Sequence, residues 1–195
     1  MSIHLKPGDI FFTRGTSFLS RAIRVFTQVI GESRTKVSHT GVIVTEGDLK
    51  NAVIVEAVSK VKRQKLWEHY GPPSKSEIAI YRPKNLSEDE IHKITKDAES
   101  YVGRKYGALK LIAHLLDWLL QGAYVFRRLA CMDKYPICSW VVAYAFEEVR
   151  ESYFGIEPNA ASPDDIWDFI QKHPNEFTEI FLLSFLKDKR SGNAS

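Results

Sequence analysis

Cysteine is scarce in this chain: Cys131 and Cys138 are the two among 195 residues, with six residues between them. That count excludes a disulfide framework. The spacing matches neither a CxxC redox motif nor a zinc knuckle, so no metal site and no cofactor is expected. A bond between Cys131 and Cys138 is the one redox pairing left open. Charge of one sign is scarce too: Lys and Arg number 27 against 24 Asp and Glu, a net of +3, too little to drive nucleic-acid binding. The local basic run Lys60, Lys62, Arg63 and Lys65 reads as a solvated strand end or loop. Long apolar runs are missing. The most apolar stretch, Leu109 to Leu120, contains Lys110, His114 and Asp117 and falls short of the ~20 residues that span a bilayer. The opening MSIHLKPGDIFF has no basic segment followed by a long apolar one, so no secretory signal is read and a cytoplasmic location is expected. Internal repeats and low-complexity linkers are lacking as well, which leaves one domain over residues 1–195.

What is present is a globular composition, 44% hydrophobic and 12% aromatic, ample for a buried core. Pro7-Gly8-Asp9 signals a turn before a short strand at Ile10, Phe11 and Phe12. From Thr16 or Ser17 the apolar spacing predicts a helix to Ile30. The period then becomes that of a strand over Val37 to Val44, where His39 shares a face with Gly41 and Ile43. A turn at Glu46 to Asp48 leads into Ala52 to Val58, and the two strands read as an antiparallel hairpin with a longer loop. The residues onward to Trp67 and His69 are basic and poorly periodic. Glu77 to Arg82 is a further strand. Ser87 with Glu90 forms a capping box opening a helix that carries Ile91, Ile94, Ala98, Tyr101 and Val102 inward. Over Ala108 to Arg128 one polar stripe, Lys110, His114, Asp117 and Gln121, runs along an apolar cylinder. That pattern fits a mostly buried helix and leaves contact with a lipid or membrane surface open. Ser162-Pro163-Asp164-Asp165 starts a short helix, Glu179 to Phe185 is a last strand, and Lys187 to Ser195 is a frayed tail. The pattern is that of an α+β protein, an antiparallel sheet packed against helices.

The stretch Pro136 to Arg150, PICSWVVAYAFEEVR, places Cys138 in the opening turn of an apolar helix. The first N–H groups of a helix lack internal partners and carry the positive end of its dipole, which favours a thiolate. Taken alone, such a cysteine reads rather as a small apolar residue filling a core. A nucleophile needs a base, and the base needs an orienting group. His92 and His114 lie on polar helix sides, His173 precedes a proline, His4 is near the terminus and His69 is in a loop-like stretch. His39 differs: it lies on a core strand beside Gly41. Glu56 on the neighbouring strand is a carboxylate among apolar residues, in want of a partner.

These pieces resemble the NlpC-type papain-like cysteine hydrolases: KPGDIFF at 6 to 12, SHTGVIV at 38 to 44, YVGRKY at 101 to 106 and ICSW at 137 to 140. The histidine precedes the cysteine here, an order similar to that of the circularly permuted branch, with its YiiX-like proteins and relatives of lecithin:retinol acyltransferase. The resemblance implies a permuted papain-like fold with its nucleophile at a helix N-terminus. It implies Cys138 as nucleophile, His39 as base and Glu56 as orienting residue, with Tyr106 and Ser139 on the oxyanion or substrate side and the Cys138 N–H as a further oxyanion donor. The apolar helical insertion at about 107–135, between Tyr106 and Cys138, departs from the family pattern and reads as a lid or substrate wall. Three functions follow as expectations. The first is a cysteine peptidase or amidase acting on a peptide or other acyl-amide, cell-wall peptides included, through an acyl-thioester. The second is a lipid acyltransferase or thiol esterase using the same site, and the third a non-catalytic binding module retaining the fold. Nothing in the pattern speaks to oligomeric state.

Overall fold

Strict alternation in short apolar strands gives the sheet two buried faces. The computed structural model describes residues 3–14, 37–71, 76–105 and 138–183. The expected helix from Thr16 or Ser17 to Ile30, the insertion at 107–135 and the tail at 187–195 lie outside them. Strand β1 (His4–Leu5) pairs with β4 (Gly47–Asp48) as a small separate ribbon. The main sheet is antiparallel throughout, in the order β6-β5-β3-β2-β7-β8. Its strands are β2 (Ile10–Arg14), β3 (His39–Ile43), β5 (Val53–Ala57), β6 (Val61–Lys65), β7 (Glu77–Pro83) and β8 (Phe177–Leu182).

One face presents Ile10, Phe12, Val42, Val55 and Ala79 to three helices: α2 (Glu88–Ser100), α3 (Cys138–Glu147) and α4 (Pro163–Lys172). The other presents Phe11, Ile43, Ile54, Ile78 and Ile80, closed by Leu5 and by Leu66 of the short helix α1 (Leu66–Tyr70). This is the α+β architecture, and the hairpin of β3 and β5 has the antiparallel pairing its sequence predicts.

Local chemistry fixes the element ends. Ser87 with Glu90 and Ser162 with Asp165 both form complete capping boxes, and Pro163 occupies the first turn of α4, where its missing N–H costs nothing. At the Pro7-Gly8-Asp9 turn, Gly8 adopts φ +85°, a conformation in which any side chain is strained. Its N–H donates to the Ile43 carbonyl, and the Ile43 N–H donates to the Asp9 carbonyl. Fully buried Asp9 then receives Arg82 Nε and Nη2, both at 2.7 Å, on its two oxygens. The turn thus ties the end of β3 to β7.

Three expectations are corrected. The stretch around His69 is not loop-like, since residues 66–70 form α1, whereas the basic run before it lies on strand β6, one of the two readings given for it. Strand β6 ends the sheet among the described residues, so its lysines meet solvent and blunt an edge, which is why no apolar period marks it. Val102 does not point inward but is 43% exposed, because α2 stops at Ser100 and the chain turns through Gly103 at φ +92°. The last strand begins at Phe177 rather than Glu179.

Candidate active site

His39 opens β3 and Cys138 is the first described residue of α3, the helix packed against that strand. Because Val42 stands across from Val55, Gly41 stands across from Glu56, and His39 lies diagonal to Glu56 on the same face. Diagonal neighbours are within reach of long side chains. His39 Nε2–H donates to Glu56 Oε2, and the Cys138 sulfur stands near enough to the ring to raise its proton affinity. With Nε2 engaged by the carboxylate, Nδ1 is the nitrogen left for sulfur. Cys138 carries a free thiol and is 5% exposed, the His39 side chain 17%, and Glu56 none of its surface.

Gly41 makes this arrangement fit. A Cβ there would stand 2.5 Å from Phe11 Cε1 and 2.6 Å from the Val55 carbonyl oxygen, closer than atoms can approach. The space beside the imidazole therefore belongs to the Phe11 ring, 6.1 Å from that of His39.

A carboxylate buried without water needs every lone pair directed at a donor. Glu56 Oε2 accepts from Tyr70 O–H as well as from His39, and Oε1 accepts from Gln64 Nε2–H. Burial alone would raise the Glu56 pKa; the charge of His39 and the hydrogen bonds from His39 and Tyr70 outweigh it and hold the carboxyl below its ordinary range. Burial likewise opposes a charge on His39, but the Cys138 and Glu56 charges and hydrogen bonds overcome it, and its pKa is pushed up to about 10. Tyr70 is shifted upward by burial and by the Glu56 charge, so its hydroxyl stays a donor.

Of the residues singled out in the sequence, Cys138, His39 and Glu56 are thus brought together. Ser139 is turned elsewhere. Its side chain is fully buried and its hydroxyl donates to the Ala161 carbonyl at 2.7 Å, which ties α3 to the segment before α4 rather than facing a substrate. Tyr106 and Cys131 lie outside the described residues. Other histidines have ordinary partners: His4 with Glu46 at 2.7 Å and His173 with the Phe169 carbonyl at 2.7 Å. His69 is exposed on α1 with its ring edge-on to Tyr70, 4.8 Å away. Gln64 and Tyr70 were not legible as site residues. The one available signal was parity: on β6, Gln64 shares a face with Lys62, which stands across from Glu56.

A thiol, an imidazole beside it and a carboxylate fixing the imidazole are the parts of an activated nucleophile. A sequence model of the permuted papain-like amidase enzymes, the YaeF/YiiX or C92 family, matches residues 4–111. The chain belongs to this permuted papain-like amidase family. The matched span contains His39 and Glu56, and Cys138 lies beyond it. The fold is similar to the crystal structure of the metalloprotein yiiX from Escherichia coli O157:H7, with a TM-score of 0.60 at 19% identity over 91% of this chain and 97% of that one. No curated protein matches the chain. "Metalloprotein" is said of yiiX. Among the described residues of this chain, no group of three or more His, Cys, Asp or Glu suited to a metal ion is gathered. Nor, among the described residues, is any helix long and apolar enough to cross a membrane.

Proposed function

We propose that this chain is a cysteine amidase in which Cys138 is the nucleophile, His39 the base and acid, and Glu56 the residue that orients His39. The observation carrying this reading is the His39 ring bonded to a fully buried carboxylate and set beside Cys138, whose sulfur raises the proton affinity of that ring. With His39 protonated, Cys138 attacks the amide carbonyl carbon as a thiolate, and the C=O electron pair moves onto oxygen. Backbone N–H groups in the first turn of α3 are suited to that oxyanion, and Tyr106 is proposed beside them on the strength of the family resemblance. Collapse of the adduct expels the amine, which takes the proton from His39 Nδ1, and leaves an acyl-thioester. His39, now neutral, removes a proton from water, the water oxygen attacks the thioester, and the thiolate departs from a carboxylic acid product.

Peptides, cell-wall peptides among them, are the proposed amides. The apolar sequence Leu109 to Val125 favours a second reading in which the acyl group is a lipid chain and the reaction is ester hydrolysis or acyl transfer through the same thioester. Assays of peptide amides beside long-chain acyl esters separate the two. In either case Cys138→Ala is expected to abolish turnover and His39→Ala to lower it by about 10²- to 10⁴-fold. The circular dichroism spectrum of both should stay unchanged. Full turnover by folded Cys138→Ala would overturn the assignment and leave the chain as a binding module.

A further inference from the structure

Glu56 is held more completely than the His39 bond requires. Lys62 stands directly across from it on β6, the pairing that would suit an ordinary cross-strand ion pair. The carboxylate instead takes two uncharged donors, Gln64 from β6 and Tyr70 from α1, beside His39 from β3. The Tyr70 ring also leans on the rings of Phe11 and His39, at 5.7 and 6.1 Å. Three elements therefore converge on one side chain that has no exposed surface.

We propose that Gln64 and Tyr70 are positioning residues: by occupying both oxygens of Glu56 they hold it as an anion in the one orientation that fixes His39 with Nδ1 toward Cys138. The inference rests on the proposed role of Cys138 and His39. Its chemistry is one-directional. An ionised carboxylate only accepts, while a protonated one would need an acceptor where Tyr70 O–H and the Gln64 amide present hydrogens. Both donors thus favour the ionised form. Without them the carboxylate gains freedom to rotate, and the imidazole loses its fixed partner; misplacement on the order of 1 Å is enough to cost about 10²-fold in a reaction rate. The other titratable or charged groups around the Glu56–His39 pair are Cys138, His69 and Lys62; these and His39 all remain in the Tyr70→Phe and Gln64→Met variants below.

The test uses the full-length chain as wild type, Tyr70→Phe, Gln64→Met and His39→Ala. Two quantities are read: the His39 ring resonances as a function of pH, whose acid inflection reports protonation of Glu56, and the rate of Cys138 alkylation by iodoacetamide near neutral pH. Tyr70→Phe and Gln64→Met are each expected to move the acid inflection upward by about one pH unit, the size of one lost bond to a charged group. Each is expected to slow alkylation by about 10-fold relative to wild type. An inflection that stays put in both variants overturns the inference, as does an unchanged alkylation rate; a purely structural role would lower only the melting temperature. Gln64 lies on the strand that ends the sheet among the described residues, so its variant keeps the test open if Tyr70→Phe fails to fold. If wild type and His39→Ala alkylate equally fast, the nucleophile assignment itself fails, an outcome distinct from the other two.

Discussion

His39 has a buried anion on one side and a thiol on the other, and its proton affinity follows from both. Its pKa is raised from 6.5 to about 10. A group raised on folding stabilises the native state fully below its unfolded value, so this contribution is complete below about 6.5 and is lost as pH rises through about 10. Glu56, held below its usual 4.5, contributes above that value and loses its share as pH falls through the depressed one. The expected outcome in a histidine NMR titration is a His39 midpoint near 10. In Glu56→Gln the midpoint should fall toward 6.5 while the ring stays in place, because a flipped Gln64 amide offers its oxygen to the new amide N–H. A wild-type midpoint at or below 6.5 would contradict the ion-pair account. At this scale the sequence was informative where a residue violated its surroundings: Glu56 among valines asked for a partner, and Gly41 beside His39 asked what fills its space. Gln64 and Tyr70 violated nothing, a glutamine on a polar edge and a tyrosine before a glycine, so neither stood out.

Among the elements, α3 carries the nucleophile and is buried along most of its length, so its placement depends on packing and on a few polar ties. Ser139 supplies one of these through the Ala161 carbonyl. Ser139→Ala leaves that buried carbonyl without this donor and is expected to lower stability by about 1–3 kcal/mol in urea unfolding. The kcat/KM of the folded fraction should stay within about threefold of wild type. A large fall in kcat/KM with unchanged stability would return Ser139 to the substrate. Elements with their own signals were readable in the sequence: short β-prone runs between turn signals in β2, β3, β5 and β7, and capping boxes at α2 and α4. The segment β6 to α1 was not. Strand β6 buries a single apolar side chain, Val61, and a five-residue helix is too short to show a period.

Across the molecule, the order of pieces carries the family identity. The Pro-Gly-Asp turn, the histidine strand and the glutamate strand come first and build the sheet, and the cysteine helix arrives later in sequence and packs against it. The buried Asp9–Arg82 pair and the backbone bonds around Gly8 lock the end of β3 opposite the one that presents His39. The fold class and this order were legible because each motif has its own local physics. The contact between Cys138 and His39, 99 residues apart, depends on how α3 docks on the sheet, which no local pattern records. The most direct test of the account is that contact. Iodoacetamide alkylation of Cys138 at about pH 6, below the ~8.5 of a free thiol, depends on a neighbouring cation to supply thiolate. Wild-type protein is expected to react at least about 10-fold faster than His39→Ala, and equal rates in the two would contradict an activated Cys138–His39 pair.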